Sequence, residues 1–66
     1  MEILINGEKM VIPEVEDISK VVAALELEPT MVLVEHNGLA LRRSEWRDTK
    51  IQSGDQLEIL RVAAGG

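Results

Sequence analysis

The stretch MVLVEHNGLAL, residues 31–41, has the pattern of a β-hairpin. Residues 31–36 are β-prone, and residues 39–41 form a second apolar run that can pair back on them. Between the two runs, Asn37-Gly38 is the pair favoured in a two-residue type I′ turn, because both turn positions need positive φ. The sequence therefore predicts two antiparallel strands at this point.

A second hairpin is predicted at the start of the chain. Residues 3–5 and 10–12 are β-prone runs, and Asn6-Gly7 lies between them. Pro13 ends the second run, because proline has no N–H to donate to a sheet. The chain thus opens with two more antiparallel strands.

The segment between the hairpins has the pattern of one amphipathic helix. Asp17 is a suitable N-cap, and Pro29 is a stop signal beyond the other end. Apolar residues recur at i, i+3, i+4 and i+7, which places them on one helix face. These residues are Ile18, Val21, Val22 and Leu25.

The remaining chain is predicted to be irregular and then extended. Residues 42–50 are polar, and Ser44 is the predicted cap of a short turn. Trp46 is interpreted as a partly buried anchor of this loop, with an interface hot spot as the alternative. Gly54-Asp55 predicts another turn. Residues 56–62 form the last strand, whose apolar residues on both faces indicate a position near the sheet centre.

The order hairpin, helix, hairpin, crossover, strand predicts an α+β fold. A sheet must bury its apolar face, and one helix is available to cover it. We expect a four- to five-stranded mixed sheet with one main helix across it. The predicted domain spans residues 1–62, and residues 63–66, Ala-Ala-Gly-Gly, are predicted to form a flexible C-terminal tail.

Composition excludes several classes of function. The 66 residues suffice for one domain, and the absence of cysteine excludes disulfides, zinc–thiolate sites and a cysteine nucleophile. No catalytic pair, cofactor motif or metal-ligand pattern occurs, so we expect a protein that is not an enzyme and binds no metal. No targeting or membrane-spanning segment is recognisable, and we expect a cytoplasmic protein.

The net charge of −5 argues against nucleic acid as a partner. The whole excess of acidic residues falls in residues 1–33. This asymmetry has two interpretations, simple solubility or a docking surface for a basic partner.

The predicted order resembles the β-grasp, or ubiquitin-like, fold, and particular motifs resemble the ThiS family of sulfur carriers in thiamine thiazole biosynthesis. The resemblance covers essentially the whole chain. Many family members carry proline where this chain has Arg42, a change in a surface loop. The motifs that carry the resemblance are ILING at residues 3–7, VEHNG at 34–38, LRRSEWRDT at 41–49, SGDQLEIL at 53–60 and the terminal Gly65-Gly66.

The resemblance implies that the α-carboxylate of Gly66 is the reactive group. A ThiF-like adenylyltransferase would use ATP to form an acyl-adenylate there, and a sulfur donor such as a cysteine desulfurase would convert it to a thiocarboxylate. That group would deliver sulfur to a ThiG-like thiazole synthase. No cofactor would be bound by the chain itself. Ala64 and Gly65 form the slim approach, because residues without bulky side chains fit a narrow cleft.

Partner contacts are predicted next to this tail, on the last strand, at Leu57, Ile59 and Arg61. The arginines at 42, 43 and 47 are either a docking surface or a solvated face. His36 is interpreted as a surface residue beside a turn. The acidic group at residues 14–17 is interpreted as helix capping rather than a cation site.

Two other functions stay open from the sequence. The first keeps the tail chemistry: the small subunit of molybdopterin synthase, in the MoaD family, and the ubiquitin-like modifiers share the fold and the ending. The second is a β-grasp interaction module that carries no sulfur.

Overall fold

The computed structural model describes residues 1–62 of the chain. Five β-strands, one α-helix and two 3₁₀ turns make up this part. In chain order they are β1 (Glu2–Ile5), β2 (Glu8–Val11), α1 (Ile18–Ala24), a first 3₁₀ turn (Pro29–Met31), β3 (Val32–His36), β4 (Leu39–Leu41), a second 3₁₀ turn (Arg43–Asp48) and β5 (Gln56–Arg61).

The five strands form one mixed sheet in the order β2-β1-β5-β3-β4. Strands β1 and β5 are parallel, and the other neighbouring pairs are antiparallel. Strand β5 is therefore central, as its apolar residues on both faces predicted. The five-stranded mixed sheet with one main helix confirms the predicted β-grasp architecture, at the upper end of the expected strand number.

Both Asn-Gly turns have the backbone that was predicted. In the first, Asn6 has φ 51° and Gly7 has φ 83°; the second, at residues 37–38, has φ 49° and 87°. The Asn6 side chain does more than turn the chain. Its Nδ2 donates to the Ile59 carbonyl at 3.1 Å, and the Ile59 N–H donates to its Oδ1 at 2.8 Å. This carboxamide continues the β1–β5 hydrogen bonding past the end of β1.

Helix α1 begins where Asp17 predicted it. Asp17 has extended backbone, and its carboxylate accepts a hydrogen bond from the Lys20 N–H at 3.1 Å. The Ser19 hydroxyl also donates to this carboxylate, and these bonds hold the pKa of Asp17 below its ordinary value of 3.8. The apolar face is packed against the sheet, with Ile18, Val21 and Val22 fully buried.

The core lies between α1 and one face of the sheet. Burying aliphatic side chains stabilises the fold by about 1.5–3 kcal/mol per residue, so a core without Phe or Tyr can still support the domain. No helix within residues 1–62 has the length and apolar character needed to cross a membrane. The buried apolar residues are Ile3, Ile5, Ile12, Ile18, Val21, Val22, Val32, Val34, Trp46, Ile51, Leu57 and Ile59.

The loop after β4 differs from its prediction in two ways. Arg42, not Ser44, is the N-cap residue of the second 3₁₀ turn. The Arg42 N–H donates to the Glu45 carboxylate at 2.7 Å, so the cap bond comes from a side chain inside the turn reaching back. Trp46 is buried rather than partly buried, with 3% of its surface exposed. The turn holds the indole against α1, which the sequence spacing alone does not specify.

Candidate functional site

Strand β5 is the central strand of the sheet and the last strand within residues 1–62. Its last described hydrogen bond runs from the Val62 N–H to the Met31 carbonyl, at 2.8 Å. The chain therefore leaves the sheet next to the start of β3. The predicted tail, residues 63–66, lies outside the described residues, and so do the predicted site residues Ala64, Gly65 and Gly66.

Two of the three predicted contact residues on β5 are not on the surface. Leu57 is 1% exposed and Ile59 is 8% exposed, because this side of β5 faces the helix. Both are part of the core, and this corrects the expectation that they would meet a partner. Arg61 is exposed near the end of the strand, opposite Val32 of β3. Its contact with a partner stays a prediction.

The apolar surface beside the chain exit is on the other face of the sheet. Leu33 and Leu60 lie directly opposite each other in the β3–β5 register, and they are 57% and 59% exposed. Cross-strand neighbours of this kind have side chains in contact range, so together they form a small apolar patch. Leu33 was missed from the sequence. The alternation of β3 was the available signal, since Val32 and Val34 take the buried face.

A pair of carboxylates adjoins this leucine pair. Glu35 and Glu58 are also directly opposite each other, on the same face of the sheet. Both are exposed, and neither forms an ion pair within residues 1–62. Like charges at facing positions destabilise a sheet. We name the surface formed by Leu33, Leu60, Glu35 and Glu58 the outer-face patch.

His36 belongs to a hydrogen-bonded network at the opposite end of the sheet. Its Nε2 lies 2.8 Å from Asp55 Oδ2, and Asn37 Nδ2 lies 3.3 Å from the other oxygen of that carboxylate. The Gln52 N–H donates to Asp55 at 2.9 Å. Because an ionised carboxylate only accepts, the imidazole donates through Nε2. The network ties the β3–β4 turn to the loop before β5.

The pKa of Asp55 records the strength of this network. Burial raises the pKa of the carboxyl, but the hydrogen bonds from His36, the Gln52 amide and Asn37 outweigh burial and hold it below its ordinary value of 3.8. His36 is thus half-buried and hydrogen-bonded, not a solvated turn residue. Its contacts join loops, and this explains its place without a catalytic role.

Asp17 is the member of the acidic group at residues 14–17 that serves the helix. Asp17 caps α1, and Glu14 lies 3.7 Å from the N-terminal ammonium group. Within the part of the chain that the structure describes, no three His, Cys, Asp or Glu residues come together in a way that would hold a metal ion.

Comparison with known proteins places this geometry in a family. The model of the ThiS family matches residues 2–66, which includes Gly65 and Gly66. A crystal structure of a thiamine biosynthesis protein (ThiS) from Geobacter metallireducens is 29% identical, with a TM-score of 0.83 and full coverage of both chains. A solution NMR structure of a thiamine biosynthesis protein from Geobacter metallireducens is also 29% identical. It has a TM-score of 0.81 and covers 100% of this chain and 88% of that one.

A comparison with curated protein sequences found no match. The family match nevertheless spans almost the whole chain, and the structural likeness extends over its full length. The chain belongs to the ThiS family.

Proposed function

We propose that this chain is a sulfur carrier in thiamine biosynthesis and that it carries its sulfur as a thiocarboxylate on Gly66. The observation that carries the proposal is the extent of the family match, which runs through the terminal Gly65-Gly66. The fold adds support, because β5, the last strand within residues 1–62, ends beside the exposed outer-face patch. A partner enzyme would have a surface to hold next to the group on which it acts.

The chemistry begins with a carboxylate that is a poor electrophile. An α-carboxyl group has a pKa of about 3.5, so Gly66 is ionised at neutral pH. One carboxylate oxygen attacks the α-phosphorus of ATP on a ThiF-like partner, which forms the acyl-adenylate and releases pyrophosphate. Hydrosulfide then attacks the acyl carbon, AMP leaves, and the thiocarboxylate remains. Where the donor is a cysteine desulfurase, the terminal sulfur of its persulfide attacks the acyl carbon instead. A thiol then cleaves the resulting acyl disulfide, which releases the thiocarboxylate and leaves a disulfide between that thiol and the donor cysteine.

The carrier itself contributes access rather than catalysis. Gly65 and Gly66 have no Cβ, so they can enter a cleft too narrow for any other residue. The loaded carrier then presents the thiocarboxylate to a ThiG-like thiazole synthase. Both partners must reach the same end of the chain, so they bind in turn.

The outer-face patch is the docking surface in this proposal. Leu33 and Leu60 provide an exposed apolar centre, and Glu35 and Glu58 provide negative charge with no cation paired to it within residues 1–62. A partner that brings a basic side chain between these carboxylates relieves their mutual repulsion.

Intact-mass measurement tests the sulfur chemistry. The protein is incubated with ATP, sulfide and the adenylyltransferase of the same organism. We expect a mass increase equal to the difference between one sulfur and one oxygen atom, and an adenylate when sulfide is withheld. A chain extended by one residue after Gly66 is the matched control. If sulfur appeared on a side chain, or if the extended chain were loaded with sulfur, the carrier hypothesis would be wrong. The chain would then be interpreted as an interaction module.

Variants of the outer-face patch test the docking surface. Leu60→Ser should raise the protein concentration needed for half-maximal adenylation. Val11→Ser, which alters an even more exposed apolar residue on the edge strand β2 (81% against 59%), should not. Arg61→Glu tests the remaining contact prediction on β5 in the same assay. Equal behaviour of the Leu60 and Val11 variants would place the docking surface elsewhere.

A further inference from the structure

A second surface feature lies on the helix side of the molecule, away from the outer-face patch. It is a pocket of about 540 Å³ between the start of α1, the first 3₁₀ turn and the second 3₁₀ turn. Its size falls within the range of about 300–1,000 Å³ that small-molecule sites occupy. The lining residues are Ser19, Pro29, Arg43, Ser44, Trp46, Arg47 and Asp48.

The charge of this lining is opposite to that of the whole chain. Arg43 and Arg47 face a single acidic residue, Asp48, in a protein with a net charge of −5. Within residues 1–62, the guanidinium groups of both arginines make no ion pair and no hydrogen bond. Two exposed guanidinium groups with all their donors available are therefore gathered in one concave site.

The other polar groups of the wall are also mainly donors. The indole Nε1 of Trp46 is buried and has no hydrogen-bond partner within residues 1–62. Because this nitrogen is closed to solvent, it does not donate into the pocket, and Trp46 contributes its ring to the lining. The Ser44 hydroxyl is also unengaged in the described part of the chain, whereas the Ser19 hydroxyl already donates to Asp17.

We propose that this pocket binds a phosphate group, either as inorganic phosphate or as the phosphate of a small organic molecule. The guanidinium group is a planar fork that matches phosphate oxygens in pairs, and its charge strengthens each hydrogen bond. Two such forks and the Ser44 hydroxyl supply the donors, and Asp48 is the one carboxylate in the lining. A cationic ligand would be repelled by the two guanidinium groups, and a neutral acceptor would gain no charge attraction from them.

The pocket and the outer-face patch lie on different faces of the molecule. Strand β4 runs antiparallel to β3, so Arg43 follows it at the same end of the sheet as Val62. The pocket nevertheless opens beside α1, and the outer-face patch is on the opposite face of the sheet. The two surfaces can be occupied together, and the inference does not depend on the proposed function.

Trp46 makes the test direct, because it is the only tryptophan of the chain and lines the pocket. Its emission is followed during titration with sodium phosphate at constant ionic strength, maintained with sodium chloride. We expect a saturable change. Arg43→Gln and Arg47→Gln should each raise the half-saturation concentration about tenfold, the loss expected for one charge-assisted pair. Arg42→Gln removes the same charge from a neighbouring exposed residue outside the lining and should leave it unchanged.

Two further measurements identify the ligand class and decide the outcome. AMP and adenosine differ only in the phosphate group, so they test whether that group is recognised. Only AMP should compete with inorganic phosphate. The ¹H–¹⁵N signals of the Trp46 indole and of the amides at residues 43–48 should shift during the titration. Three outcomes would overturn the proposal: no shift and no emission change, equal titrations for the Arg42 and Arg43 variants, or binding of adenosine as tight as that of AMP.

Discussion

Asp55 accepts hydrogen bonds from three parts of the chain: the His36 imidazole, the Asn37 side chain and the Gln52 amide. Its carboxylate is the centre of one polar network, and the Asp17 carboxylate at the N-cap is the centre of another. Both networks are built for the ionised form. Protonation of either carboxyl group removes acceptor capacity where the fold uses it.

The lowered pKa values of Asp17 and Asp55 predict how stability depends on pH. Both folded-state pKa values lie below 3.8, so the unfolded chain binds protons more readily. The stabilisation is complete above about pH 5 and is lost as the pH falls through 3.8 towards the folded values. Asp55→Asn should lower the free energy of unfolding at pH 7 by about 1–2 kcal/mol. In this variant the free energy of unfolding should also fall less steeply as the pH is lowered, as measured by urea unfolding between about pH 7 and about pH 3.

Asp48→Asn is the matched control for this prediction. The Asp48 carboxylate makes no hydrogen bond or ion pair within residues 1–62. This variant should keep the stability and the pH profile of the original protein. If the two variants gave the same profile, the network around Asp55 would not explain the acid sensitivity.

Glu26 has a backbone conformation that L-residues avoid. Its φ is 59°, directly after the C-cap of α1, where glycine is the usual residue. The left-handed conformation costs a non-glycine residue about 1–2 kcal/mol, and glycine avoids most of that cost. Glu26→Gly should therefore raise the free energy of unfolding by about 0.5–1 kcal/mol, net of the added freedom of the unfolded chain.

Thermal unfolding provides the measurement, with Glu28→Gly as control. Glu28 has φ −77°, and its side chain accepts a hydrogen bond from the Thr30 hydroxyl at 3.1 Å. The same substitution there should lower the midpoint. If Glu26→Gly also lowered the midpoint, the Glu26 side chain would stabilise the fold by more than its left-handed backbone destabilises it.

At the scale of elements, the hairpins and the helix followed from local chemistry. Asn-Gly turns fix strand pairing within a few residues, and Asp17 with the apolar spacing fixes the helix. The misassigned features depend on distant contacts. Alternation along β5 divides its residues between the two faces of the sheet, but it does not show which face is buried. Leu57 and Ile59 face inward because α1 packs on their side of the sheet. The cap of the second 3₁₀ turn likewise depends on a side chain that folds back.

The facing carboxylates Glu35 and Glu58 predict a gain in stability from charge reversal. Glu35→Lys converts a repulsive cross-strand pair into an attractive one, and we expect the free energy of unfolding to rise by about 0.5–1 kcal/mol. The effect should shrink at high salt, because the side chains are exposed. Glu2→Lys is the control, since Glu2 lies opposite Val11 and faces no carboxylate across its pair. Equal gains in both variants would reflect net charge alone.

The same variant separates stability from recognition. If the outer-face patch binds a basic partner, Glu35→Lys should weaken adenylation while it stabilises the domain. A stabilised variant that is adenylated as before would remove Glu35 from the docking surface.

At the scale of the whole molecule, the two candidate sites differ in how far the sequence reveals them. Gly65 and Gly66 are adjacent in sequence, so the resemblance alone assigns a role to Gly66, and that role stays a prediction. The donor-lined pocket joins Ser19 of α1 to Arg43 and Arg47 of a later turn. Only the packing of Trp46 beneath that turn brings these residues together. The sequence therefore showed a group of arginines, but it did not show that two of them line a pocket.

The distribution of the core predicts that the domain is stable without its last residues. All the buried apolar residues described for residues 1–62 lie between Ile3 and Ile59, and the last β5 hydrogen bond described is made by Val62. Deletion of residues 63–66 should therefore leave the thermal unfolding midpoint within about 1 °C of the full chain, because little buried area is lost with a terminus of this kind. The deleted chain should lose adenylation completely while its outer-face patch still competes with the full chain for the activating enzyme. Deletion of Val62 as well is the control, since it removes the hydrogen bond to Met31 and should lower the midpoint. If the midpoint dropped by several degrees on removal of residues 63–66 alone, those residues would pack on the domain. If the deleted chain no longer competed for the activating enzyme, those four residues would form part of the docking surface.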